Sequence, residues 1–130
     1  MITWKNLDTL AAYQELANAK KVNLKEAMTG ENGADRVKKY SVPMAEGLTY
    51  HFAAKQVDDN ILAVLKKLAE EAQLTEKFAA LYNGEVINTG EKRLVLHQLT
   101  RGQLGDKVMA DGVDKRAFYV EQQKKIAEFA

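Results

Sequence analysis

A chain of 130 residues, 46% of them apolar, fits one domain and can bury a core. Its 19 Lys and Arg against 18 Asp and Glu give a formal net charge of +1. Both signs are spread along the whole length, which argues against a basic face built for nucleic acid or acidic lipid. The absence of cysteine excludes disulfides and thiolate metal sites and permits a reducing compartment. Met1-Ile2-Thr3-Trp4-Lys5-Asn6 lacks the apolar run of a signal peptide, and no stretch approaches the ~20 apolar residues that span a bilayer. A cytoplasmic protein is the expectation, with no membrane partner.

One proline and eight glycines leave long uninterrupted segments, so helices should dominate. Leu7, Leu10, Ala11 and Ala17 share a stripe that predicts a first helix near residues 6–19. A short second helix is expected over Asn23–Met28, ended by Gly30, with Gly30–Gly33 as a loop. The pattern then changes period. Leu48, Tyr50 and Phe52 alternate with Thr49 and His51, as in a strand, and Ser41–Met44 is its expected partner across Ala45-Glu46-Gly47. Pro43 suits an edge strand. Asp58 should cap the clearest helix, whose stripe of Ile61, Leu62, Leu65, Leu68, Ala69 and Ala72 runs through Gln73. Thr75 is the expected cap of a shorter helix that stops at Asn83-Gly84.

Asn88 and Glu91 have capping-box spacing. They predict a helix burying Leu94, Val95, Leu96 and Leu99 and ending at Gly102. Residues 102–113 read as a loop or short extended piece. Asp114 should cap a final helix carrying Phe118, Gln122, Ile126 and Phe129 on one side. Lys124–Ala130 shows no stop signal, as in a longer protein cut short. The fold class expected is mainly α with one small β-hairpin (α+β).

Candidate chemistry is sparse. His51 and His97 have no partner at i+3 or i+4, so no zinc pattern arises. His51 falls on the polar side of its strand, and His97 on the helix after Asn88. Asp58-Asp59 and Glu70-Glu71 are adjacent pairs, and adjacent helix residues diverge by ~100° instead of facing one another. Arg93 and Arg101 could each offer a donor fork to phosphate, but an inter-segment ion pair or carbonyl contact is the preferred reading, since nothing else in the chain converges as a phosphate site requires. No catalytic, cofactor-binding or metal-binding residue is assigned. Two readings stay open at this point, a piece of a larger enzyme and a complete helical protein-interaction module.

The run Gly84-Glu85-Val86-Ile87-Asn88, followed by Glu91-Lys92-Arg93-Leu94-Val95-Leu96-His97, resembles a segment of the glucose-6-phosphate isomerase family. Asp35-Arg36, Tyr40-Ser41, Tyr50–Phe52 and Val108 with Asp111-Gly112 and Asp114 extend the likeness. Ala53-Ala54-Lys55 and Gly90 depart from the family pattern. The resemblance implies that residues 1–130 are the N-terminal helical segment of a larger α/β sugar isomerase. It implies a sugar phosphate substrate, no cofactor, a homodimer when full-length, and catalytic groups located downstream. Alone, the segment should be inactive and should expose Phe118, Ile126 and Phe129.

Overall fold

The structure, a computed structural model, describes residues 1–101 and 105–130. The chain forms two compact units, one of residues 5–72 and one of residues 1–4 with 73–130.

In the first unit a 3-10 turn at Leu7–Thr9 precedes α1, Ala11–Ala17. The single helix predicted near residues 6–19 is thus broken at Leu10, which takes an extended conformation between the two pieces. Next comes α2, Leu24–Thr29, where the Asn23 side chain accepts from the Glu26 N–H. Then α3, Gly33–Lys39, occupies a stretch for which no helix was expected. Strands β1, Ser41–Pro43, and β2, Thr49–His51, pair antiparallel with Val42 opposite Tyr50. This is the hairpin that the alternation predicts, and its intervening turn is Ala45–Gly47. Asp58 caps α4, Asp59–Glu71, by accepting from the Ile61 N–H at 2.8 Å. Packing of α1 on α4 is closed by the Glu71 carboxylate, which accepts from the Ala12 N–H at 3.1 Å. Leu10, Ala12, Tyr40, Ala53 and Ile61 are the buried apolar residues of this unit.

The second unit begins with α5, Leu74–Tyr82. Its N-cap position is Gln73, in a left-handed conformation, and not Thr75. Gln73 uses its amide oxygen to accept from the Thr3 N–H at 2.7 Å, which ties the first residues to this helix. Asn83-Gly84 ends α5 as predicted, with Gly84 at φ +75°.

The helix expected after Asn88 is not formed. Instead β3, Val86–Asn88, and β4, Arg93–Leu94, make a second hairpin. The predicted cap bond is present, since Asn88 Oδ1 accepts from the Glu91 N–H at 3.1 Å. Lys92 then turns left-handed, at φ +53°, and sends the chain back along β3. The capping geometry therefore serves a turn between strands. Leu94, Val95 and Leu96 are half-buried and Leu99 is fully buried, but on a strand end, the link after it and a 3-10 turn at His97–Thr100. The expected stop at Gly102 lies outside the described residues.

A third antiparallel pair joins β5, Met109–Ala110, to β6, Val113–Asp114. Asp111 and Gly112 both have positive φ, the two-residue turn that matches strand twist. Asp114 accepts from the Arg116 and Ala117 N–H groups and opens α6, Lys115–Phe129. The molecule is mainly helical with three small strand pairs among the described residues, two more than the sequence pattern predicts. None of its described helices is long and apolar enough to cross a membrane.

Candidate functional site

In the first unit the side chain that does most to hold separate segments together is Arg36. Its Nε donates to the Ala53 carbonyl at 2.9 Å. One terminal nitrogen donates to the carbonyls of Lys55 at 3.1 Å and Val57 at 2.8 Å. The guanidinium carbon lies 4.6 Å from the centre of the Tyr40 ring. A rigid planar fork can satisfy several carbonyls at once, so one residue of α3 fixes the whole 53–57 loop. Tyr40 is buried and gives its hydroxyl to Asp59 at 3.1 Å. Lys39 reaches the other Asp59 oxygen at 2.5 Å. The Lys39 hydrogen bond, then that of Tyr40, holds the Asp59 carboxyl below its ordinary value, and the Asp59 hydrogen bond raises the Lys39 ammonium above its own.

Next to this cluster lies a cleft of about 450 Å³ lined by Ala27, Asn32, Asp35, Arg36, Lys39 and Tyr40. Asp35 pairs with Lys38 at 3.7 Å, so the charged groups lining it are already engaged. A second cleft, of about 370 Å³, is lined by Glu15, Ala19, Lys20, Asp58, Asn60, Ile61 and Val64. There Glu15 pairs with Lys67 at 2.9 Å and Asp58 caps α4.

The residues weighed from sequence fall into place one by one. Asp58 caps a helix and Asp59 pairs with Lys39 and Tyr40. Glu70 lies 3.9 Å from Lys66 and Glu71 accepts from a backbone amide. His51 is exposed on β2. His97 is exposed at the start of a 3-10 turn, a correction to its expected place on a capped helix. Arg93 lies 3.6 Å from Glu91 within the second hairpin, and Arg101 is exposed after the 3-10 turn. Among the described residues no group of three or more His, Cys, Asp or Glu could hold a metal ion.

Sequence reasoning missed Arg116. It is 8% exposed, and its Nε donates to the Asp106 carbonyl at 2.7 Å. The guanidinium lies beside Gly105, and among the described residues its two terminal nitrogens are buried without a hydrogen-bond partner. An apolar-stripe reading of α6 points to Phe118 and Ile126, yet these are 45% and 68% exposed. Phe129, at 95%, completes the exposure that the resemblance implies.

The family profile described as phosphoglucose isomerase matches residues 51–130. The chain is 48% identical to a glucose-6-phosphate isomerase of Treponema denticola over 98% of its own length and 25% of that protein. It is 41% identical to the glucose-6-phosphate isomerase of Treponema pallidum over 99% of the chain and 25% of the relative. The one from Borrelia garinii is 39% identical over the full chain and 24% of the relative. The chain belongs to the phosphoglucose isomerase family and spans about a quarter of the length of the curated relatives it matches.

Proposed function

We propose that residues 1–130 form the N-terminal framework of a glucose-6-phosphate isomerase. The observation that carries this is similarity along 98–100% of the chain to proteins of that name, at 39–48% identity. The full-length protein interconverts glucose 6-phosphate and fructose 6-phosphate in the cytoplasm, a step shared by glycolysis and gluconeogenesis. It uses no metal or organic cofactor and works as a homodimer. A carboxylate base takes the proton from C2 of the opened aldose, a cis-enediol forms, and the proton is returned to C1. Such a base needs reach to a carbon-bound hydrogen and a tuned pKa. Within residues 1–130, Asp58, Asp59, Glu15 and Glu71 are each held by an amide, ammonium or hydroxyl, which suits structural carboxylates. In this reading the reacting groups come from sugar-isomerase domains beyond these residues, and the 130-residue chain alone is inert.

Proton transfer through an enediol leaves an isotopic trace. The chain joined to its natural continuation is incubated with fructose 6-phosphate in heavy water. Glucose 6-phosphate carrying deuterium at C2 supports the reading. A product free of deuterium contradicts the enediol route, and no product at all contradicts the assignment.

A further inference from the structure

We propose that Arg116 anchors an internal site for a small planar oxyanion of the carboxylate class, taken up from solution. The inference goes beyond the isomerase reading and uses none of its chemistry. Arg116 stands at the start of α6, is 8% exposed, and engages only its Nε, on the Asp106 carbonyl at 2.7 Å. Nη1 and Nη2 are buried and, among the described residues, meet no acceptor. Buried polar groups are nearly always paired, and a buried charge is far costlier than a buried dipole. A lysine or a carboxyl so placed could give up its charge, but a guanidinium cannot. Charge balance therefore calls for an anion at these two nitrogens. Asp114 does not supply it, because its carboxylate caps the helix by accepting from the Arg116 and Ala117 N–H groups at 3.1 and 3.4 Å.

Geometry narrows the class. The two terminal nitrogens lie in one plane and offer parallel N–H bonds, which a two-oxygen acceptor matches. Gly105 supplies the room. It has no side chain and stands at φ +95°, and a Cβ built there would lie 3.3 Å from Arg116 Nη2 and 3.7 Å from Tyr82 Cε1. Such a spacing is tight for carbon against nitrogen and close to bonding range for an oxygen. The Tyr82 ring limits the room on the other side, which favours formate or bicarbonate over a tetrahedral phosphate. Burial identifies the source. Both nitrogens are already covered within this chain. A side chain from any further segment would have to displace that cover, whereas a small ion only has to be enclosed by it.

Thermal melting at fixed ionic strength tests the site, with sodium formate replacing sodium chloride. Residues 1–130 should melt higher as formate rises, along a saturating curve, by about 10 °C at roughly one hundred times Kd. Arg116→Met should abolish that rise, and in chloride alone it should melt no lower than the unsubstituted chain, since it buries no charge. Arg116→Lys keeps the charge without the fork and should lose most of the rise. Where a variant gives no cooperative melt, isotope-labelled arginine in the unsubstituted chain carries the test. Its Arg116 side-chain resonances should then shift with formate and saturate together with the melting curve. No rise in the unsubstituted chain, or an equal rise in Arg116→Met, overturns the proposal and leaves an adventitious ion only. The chain with its natural continuation should respond to formate in the same sense. An active long protein that ignores formate but loses stability in Arg116→Met holds a carboxylate of its own on Arg116. That result overturns the free-ion site and leaves the isomerase reading standing. A long protein without turnover that still responds through Arg116 supports the site and counts against that reading alone.

Discussion

Gly84 shows how a single residue can be required twice over. Its φ of +75° is strained for any L side chain, and a Cβ placed there would stand 2.2 Å from Val108 Cγ1. Val108 is 1% exposed and has nowhere to retreat. Gly84→Ala should therefore destabilise the chain by about 2–3 kcal/mol, read as a lower urea midpoint at unchanged slope. The Lys39–Asp59 pair makes a pH-dependent contribution whose limits follow from its two shifts. Asp59 titrates below its ordinary 3.8 in the folded chain, so its contribution is present above that value and fades as pH falls through the lowered one. Lys39 titrates above its ordinary 10.5, so its contribution is present below that value and fades as pH rises through the raised one. Asp59→Asn should lower the melting temperature between those limits and converge on the unsubstituted chain at both extremes. Equal losses at every pH would assign the effect to the Tyr40 contact instead.

Helix ends were the most legible elements, because a cap is local chemistry. Asp58 and Asp114 each accept the amide bonds that their residue type and position predict, whereas the cap expected at Thr75 is not used. Asp114→Ala should cost about 1 kcal/mol and fray the first turn of α6, seen as faster amide exchange at Arg116 and Ala117. The first hairpin was legible for a similar reason, since a period of two over Leu48–Phe52 has one geometric meaning. Its burial was not, because alternation says which residues share a face and not what covers that face. The second hairpin was hidden by an ambiguous signal. An Asn accepting from the amide three residues on opens a helix or closes a turn, and the left-handed Lys92 decides between them after the bond is made. Helix α3 was missed because Ala34–Lys39 offers only Val37 as a large apolar residue, too little for a stripe. The work of Arg36 was equally invisible, as its acceptors are main-chain carbonyls 17 to 21 residues away, a group every residue carries.

For the whole molecule, exposure is the guiding observation. Val42, Met44, Leu48, Leu74, Phe78, Ile126 and Phe129 are each about half exposed or more, while few large side chains among the described residues are fully buried. Exposed apolar surface of this extent is where a partner surface binds, and the relatives that the chain matches are about four times its length. The family was legible only through the resemblance around Gly84–His97. Composition and motif spacing gave a helical chain and no reaction. The central claim is that residues 1–130 contribute structure to an isomerase whose chemistry resides elsewhere in it. Its most direct test is a side-by-side assay of glucose 6-phosphate conversion by residues 1–130 and by the same chain with its natural continuation. The account predicts turnover from the longer protein and none from the shorter; a folded longer protein without turnover, or a shorter one that turns over unaided, would contradict it.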